Sequence, residues 1–437
     1  MKKIILLMSV LALAMSACNK DYTNPSTTTP ELAVRDSDGL ITLCNGLQAR
    51  YATGGLVSVL YNRVALGGLS TGELTILNVG NIEEYNISLG AGNANNTNGV
   101  IRNIWTQANL VKANADLILR NSGNAVDPGT RSGIVAYASI FRALSLGTLA
   151  EFFEQAPLVV QENAPFVDRL TLLRSAVAQL EAAATQLAAT PVSADFNSKI
   201  VPGINLTNTL RALIARYSLE IGDYSRAISA AGAVEQNPTS LTVRSVFNFD
   251  DNTRNPLFET SFGNRNLFEP TNANLGLTGA LAPDPNDRRV PFFIRASPTP
   301  QQNRGAGFYT ANNAPIPVYL PGEMLLIRAE AYARTGELTN AVAELNRVLP
   351  KTPTTDAFGV GAALPPYSGP LTADAVLLEI LRNRNIELAF QGFRLSDSRR
   401  FNRPGPGAPG AERNRNFYPY PRVERENNPS TPPDPTI

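Results

Sequence analysis

Apolar residues recur three and four apart over most of this chain, and that period constrains the fold more than any other feature. Side chains at that spacing share one face of an α-helix. In residues 100–120, Ile101, Ile104, Trp105, Ala108, Val111, Ala115 and Ile118 form such a stripe. Trp105 belongs to the stripe, so it reads as core and not as a platform for a ligand. The same period predicts helices over 40–51, 134–153, 170–189, 208–221, 224–234, 322–335, 338–349 and 373–391. Asp168 is placed to cap the helix that begins at 170. Strand-like alternation is rare, with 241–250, 256–262 and parts of 290–295 as its candidates. The fold class is therefore all-α, with at most a few short strands.

Two stretches share a further pattern. Gly222, Asp223, Tyr224 and Ala227 are matched by Gly336, Glu337, Leu338 and Ala341. A glycine can take the left-handed conformation that ends a helix. The large apolar residue anchors the next helix, and the alanine lets two helices pack closely. The pattern resembles the tetratricopeptide repeat, a helix pair that buries its apolar face by stacking on neighbours. Units near 206–236 and 321–349 imply helical hairpins in a right-handed superhelical scaffold. Long irregular segments interrupt it at 67–99, 248–321, 351–370 and from 404 onward. Such loops are where a helical scaffold would carry a binding surface.

The N-terminus reads as an export signal. Lys2 and Lys3 precede an apolar run over 4–14, and Met15, Ser16, Ala17 and Cys18 follow. This order of charge, short apolar run and small residues is that of a secretory signal. The run is short of the ~20 residues a spanning helix needs. With its cysteine it resembles a bacterial lipobox, with Met15 where leucine is commonest. That resemblance implies removal of 1–17, lipidation of Cys18 and attachment to a membrane surface without spanning it. Residues 18–31, rich in Thr, Pro, Ser and Asn, read as a flexible tether. No later stretch is expected to span, and 32–437 is expected to be one domain. Cys44 sits in an apolar helical run and is expected to be a buried, inert thiol.

Composition excludes several kinds of chemistry. The chain has 38 basic and 37 acidic side chains, so nothing points to nucleic acid as a partner. It has no histidine, which rules out Ser-His-Asp catalysis and His-ligated zinc. No catalytic residue, metal ligand or cofactor is assigned. A carboxylate pair could still hydrolyse a glycan. Asp250, Asp251 and Glu259 are its candidates, and carboxylates on loops are usually just solvated.

The most specific pattern lies in the C-terminal third. Arg382, Asn383 and Arg384 run into Glu387, Leu388, Ala389 and Phe390, then Gly392, Arg394, Asp397, Arg399 and Arg400. This resembles the signature of the SusD/RagB family of outer-membrane nutrient-binding lipoproteins, here spread over 375–430. Other landmarks fall in that family's order: Trp105 with Asn109, Arg142 before Pro157, Leu158 and Val159, Arg328 with Glu330, Asn346, and Tyr420 with Asn428. Departures occur at Glu154 to Ala156, Gln391, Phe393 and Ser396, and they leave open whether local ion pairs are kept.

The resemblance implies a non-catalytic, lipid-anchored protein on the outer face of the outer membrane. It implies capture of a glycan or peptide nutrient and delivery to a SusC-like TonB-dependent β-barrel transporter, over which the protein closes as a lid. Another class is a tetratricopeptide-like scaffold of the envelope with no soluble ligand. A ligand site needs aromatic faces with amide and guanidinium donors. The loops offer Asn81, Tyr85 and Asn86 in the first segment, and Asn264, Arg265, Phe268, Arg304, Phe308 and Tyr309 in the second. The arginines of the signature, next to Glu387 and Asp397, read as structural ion pairs and not as ligand contacts.

Overall fold

A computed structural model describes residues 30–235, 244–299 and 302–437. The export signal at 1–17, Cys18, nearly all of the tether, and residues 236 and 241–243 of two predicted elements lie outside the described residues. The longer helices are α1 (Ser37–Ala52), α2 (Val59–Ser70), α3 (Ile82–Leu89), α4 (Gly99–Asn121), α5 (Pro128–Phe152) and α6 (Arg169–Ala189). They continue with α7 (Leu206–Glu220), α8 (Tyr224–Ala233), α9 (Pro321–Arg334), α10 (Leu338–Val348), α11 (Ala373–Glu387) and α12 (Arg394–Arg400).

Helices begin where a short polar side chain can accept the first free N–H groups. Asp168 accepts from the amides of Leu170 and Thr171 at 2.9 and 3.0 Å, as its position predicts. Asn98 caps α4, and Asp127 caps α5 just before Pro128. From α4 onward, successive helices pack on one another through α9, which also carries α10 and α11. The α4 stripe is wholly buried, and Trp105 is packed among Phe153, Phe166 and Tyr420. Cys44 is buried, and burial pushes its thiol pKa up.

The two repeat turns close in the same way. The Gly222 amide donates to Leu219 O and the Asp223 amide to Ser218 O; Gly336 and Glu337 donate to Ala333 O and Tyr332 O. These are Schellman closures, and they need φ of +79° at Gly222 and +84° at Gly336. Ala227 and Ala341 are fully buried where the paired helices meet.

Strands are few among the described residues. β1 (Leu74–Ile76) pairs antiparallel with β5 (Phe268–Pro270), β2 (Gln155–Pro157) with β3 (Phe166–Asp168), and β4 (Val246–Phe247) with β6 (Ile316–Pro317).

Several expectations are corrected. The first irregular segment holds the end of α2 and the whole of α3. α2 is buried on nearly every side, so it shows no stripe for periodicity to find. Residues 256–262 are not a strand: Asn255 Oδ1 accepts from the Leu257 and Phe258 amides and starts a π-helical turn, Phe258–Phe262. Most of 290–295 is a short helix, Arg289–Phe293, and Ile294 makes a single bridge to Gly305. α11 stops at Glu387, because Phe390 and Gly392 both take positive φ and turn the chain into α12. One later stretch, Pro128–Phe152, is long and apolar enough to cross a membrane, yet 89% of its most apolar window is buried inside the protein. Its apolar surface is spent on α4, α6 and α7.

Candidate ligand-binding site

The β1–β5 pair joins the first two irregular segments, which lie almost two hundred residues apart in sequence. Its register, Leu74 opposite Pro270 and Ile76 opposite Phe268, continues into the loops through the Leu77 amide on Leu267 O at 2.9 Å. Asparagines then hold the loops together. Asn81 Nδ2 donates to Asn266 O at 2.8 Å, and Asn78 Nδ2 to Asn266 Oδ1 at 3.0 Å. Asn264 Nδ2 donates to Thr260 O while its Oδ1 accepts from the Asn266 amide. Asn81, Asn264 and Arg265 thus come together on one surface. Arg265 is exposed, and Tyr85 and Asn86 on α3 are half-buried. Val79 and Ile82 beside them are exposed.

The other named candidates lie elsewhere. Phe268, Phe308 and Tyr309 are buried in one aromatic cluster with Phe262, Phe293 and Phe390. Tyr309 Oη donates to Phe390 O at 2.7 Å. Asn303 Nδ2, between Ser261 O and Phe268 O, ties the same loop inward. Arg304 faces Glu269 at 3.3 Å. Aromatic side chains in loops carry no sequence mark that separates an inward ring from an outward one.

The arginine-rich signature is committed to the interior. Arg384 makes a two-pronged bond to Asp397 at 2.9 and 3.0 Å. Arg400 reaches Asp397, Glu330 and Glu220. Burial pushes the Asp397 carboxyl up, but the guanidiniums of Arg384 and Arg400 push it further down, below the ordinary carboxylate value. Arg394 pairs with Glu73, whose carboxyl is raised by burial in spite of the arginine. Arg399 donates to Glu151 O and Asn416 O and lies over the Phe417 ring; burial pulls its pKa down to about 9. Phe393, a departure from the family pattern, lies within cation–π range of both Arg63 and Arg216, at 4.1 and 4.7 Å. Ser396 Oγ donates to Glu220 Oε1. The charged neighbours of Phe393 and Ser396 therefore keep partners, whereas Gln391 Nε2 is buried without one among the described residues.

Two open cavities adjoin the signature. One of about 370 Å³ is lined by Thr71, Gly276, Asn385, Arg394 and Glu412. One of about 620 Å³ shares Thr71, Gly72, Ala411 and Glu412 with it and extends to Ser88, Arg413 and Asn414. Together they form a cleft of mixed polar and aliphatic lining, without aromatic walls. A third, of about 470 Å³, opens between α4, the turn after β2 and the C-terminal segment, and sequence reasoning missed it.

The carboxylates considered for hydrolysis lie outside these cavities. Asp250 Oδ1 accepts from the amides of Asn252 and Thr253 and from Thr253 Oγ1, which closes its own turn. Glu259 faces Arg254 at 3.8 Å. Neither they nor Asp251 line these cavities.

Residues 258–434 match the SusD family model. No curated protein matches the chain. Solved structures share its fold along most of its length. A SusD superfamily protein from Bacteroides fragilis is 17% identical with a TM-score of 0.66, covering 90% of this chain and 97% of that one. A SusD-like carbohydrate-binding protein, also from Bacteroides fragilis, is 16% identical with a TM-score of 0.65 over 92% of this chain and all of its own. NanU from B. fragilis is 15% identical, with a TM-score of 0.69 over 94% and 99% of the two chains.

Proposed function

The chain belongs to the SusD/RagB family, and on that premise we propose that it captures a glycan nutrient, or a peptide, at the cell surface without breaking a bond in it. Lipid at Cys18 would hold it to the outer membrane, facing outward, with a SusC-like TonB-dependent barrel as its partner. The protein would act as the lid of that barrel and hand the ligand over.

The observation that carries this reading is the division of labour within the fold. The charged residues of the signature are spent on internal pairing. The loops joined by β1 and β5 leave the Arg265 guanidinium exposed and Tyr85 and Asn86 half-exposed, while the Asn81 amide holds the loops together through Asn78 O and Asn266 O. Amide and guanidinium donors beside a ring suit sugar hydroxyls and sugar faces. The carbohydrate-binding description of one structural neighbour supports a glycan over a peptide.

The test is calorimetry of the body from Ser26 onward against a panel of glycans and peptides. A saturable glycan that is recovered uncleaved, and whose affinity falls at least tenfold in Arg265→Ala or Tyr85→Ala, supports the reading. Cleavage of any panel member overturns it. No binding across the panel, with no β-barrel recovered when the full chain is purified from membranes, favours the scaffold class.

A further inference from the structure

The cavity between α4 and the C-terminal segment gathers several exposed aliphatic side chains. Leu110, Val159, Val160 and Val423 are each 40–50% exposed, and all four line it. Exposed aliphatic side chains scattered singly are ordinary, but a cluster around one concavity marks a binding site. Its volume of about 470 Å³ is within the range of small-molecule pockets. Trp105 and Lys112, two turns apart on one face of α4, also line it, together with polar side chains such as Asn109, Gln161 and Asn427.

Lys112 is the informative residue. It is only 2% exposed, on a helix whose other inward residues are apolar. Its ammonium donates to Pro157 O at 2.5 Å, and among the described residues that carbonyl is the acceptor it meets. An ammonium carries three N–H donors, and a buried cation with unmet donors is costly. Placed beside the exposed aliphatic wall of a cavity, such a group invites an acceptor from outside.

We propose that this cavity binds an aliphatic monocarboxylate of short to medium chain length, with its carboxylate on the Lys112 ammonium and its alkyl body against Leu110, Val159, Val160 and Val423. The acidic side chains nearby have partners of their own or are exposed. Asp116, one turn further along α4, is paired with Arg142 at 2.7 Å. The Glu424 oxygens are taken by Trp105 Nε1 at 3.1 Å and Asn428 Nδ2 at 3.0 Å. Glu162 lines the mouth but is exposed, where solvent screens it. The site is separate from the loop surface proposed for the nutrient and does not depend on that reading.

The test uses the single tryptophan of the chain, Trp105, which lies in the cavity wall and reports occupancy by its fluorescence. The body from Ser26 onward is titrated at pH 7 with butanoate, hexanoate and octanoate, and with 1-octanol as the uncharged control. The expected result is saturable binding that tightens about fourfold per added methylene until the cavity is filled. Octanoate should bind at least tenfold tighter than 1-octanol, and that preference should vanish in Lys112→Met. Val160→Asn, at an exposed wall position that leaves the fold untouched, should weaken octanoate severalfold. Equal binding of octanoate and octanol, a carboxylate preference that survives in Lys112→Met, or no fluorescence or calorimetric response to octanoate would each overturn the proposal. Should Lys112→Met fail to fold, the octanol comparison and Val160→Asn decide the matter alone.

Discussion

Glu387 lies so close to Gly322 that a methyl group on Gly322 would sit 1.8 Å from Glu387 Oε1. The carboxylate cannot step aside, because it holds two cations. Arg289 Nη1 donates to its Oε2 at 3.1 Å and Lys351 Nζ to its Oε1 at 2.6 Å. Arg289 is in turn fixed by Asp287 and Asn383, and Lys351 by Asp356. Glycine at the start of α9 is thus a condition of the charge network in the signature helix α11.

Gly322→Ala should therefore destabilise the protein far beyond what a helical alanine would suggest. Displacing Glu387 leaves two buried cations short of a partner, at a cost of about 3–5 kcal/mol. Chemical denaturation of the purified body checks this. A loss below about 1 kcal/mol would mean that the network relaxes freely.

Gly222 and Gly336 should behave differently. An added Cβ at either meets nothing within 4 Å, so the cost is backbone strain alone. Gly222→Ala and Gly336→Ala should each lose about 1–2 kcal/mol, with asparagine milder than alanine. Thermal melts of the four variants test the ranking.

Asp397 should account for part of the acid limb of stability. Its folded pKa lies below the unfolded value of about 3.9, so its contribution is complete above that pH and is lost as pH falls toward the folded value. Glu73 and Glu151, raised by burial, work in the opposite sense. Asp397→Asn should cost about 3–5 kcal/mol at pH 7. The gap between variant and wild type should narrow below pH 4. Denaturation at several pH values between 2.5 and 7 would show it, and a constant gap would refute it.

Lys112 should give an alkaline signature. Burial pulls its pKa down from the ordinary 10.5 to about 8. The folded state then binds fewer protons than the unfolded one between those values, and stability should rise with pH across that window. The rise amounts to about 3 kcal/mol from the size of the shift. In Lys112→Met the desolvation cost disappears, while Pro157 O loses its donor at about 1–3 kcal/mol. The net change at pH 7 should therefore be small. The variant should lose the pH 8–10.5 slope, which urea denaturation measures directly. A variant that keeps the slope would show that another group carries it.

The helical scaffold was legible in the sequence because each long helix hides one face, and the period of that face is written in the chain. The repeat glycines could be read for a local reason too, since ending a helix in the left-handed conformation requires few neighbours. The C-terminal signature could be read as ion pairing because its acids and arginines alternate within a short span. α2 was not legible, since a helix buried all round has no period. Nor was the π-helical turn at Phe258, which a single asparagine side chain starts.

Sequence alone determined that this chain stacks helices, ends them at particular residues and pairs Asp397 with Arg384 and Arg400, because those outcomes depend on spacing within one segment, whereas Arg394 and Glu387 found their partners in distant ones. Tertiary structure alone decided which loop residues face solvent. Phe268, Phe308 and Tyr309 joined the core while Arg265 stayed outside, and the partners that settled this are distant in sequence, Tyr61 for Phe268 and Phe390 for Tyr309. It also decided the cavity at Lys112, whose walls come from α4, the turn after β2 and the C-terminal segment. A concavity belongs to the gap between segments, and no single segment encodes it.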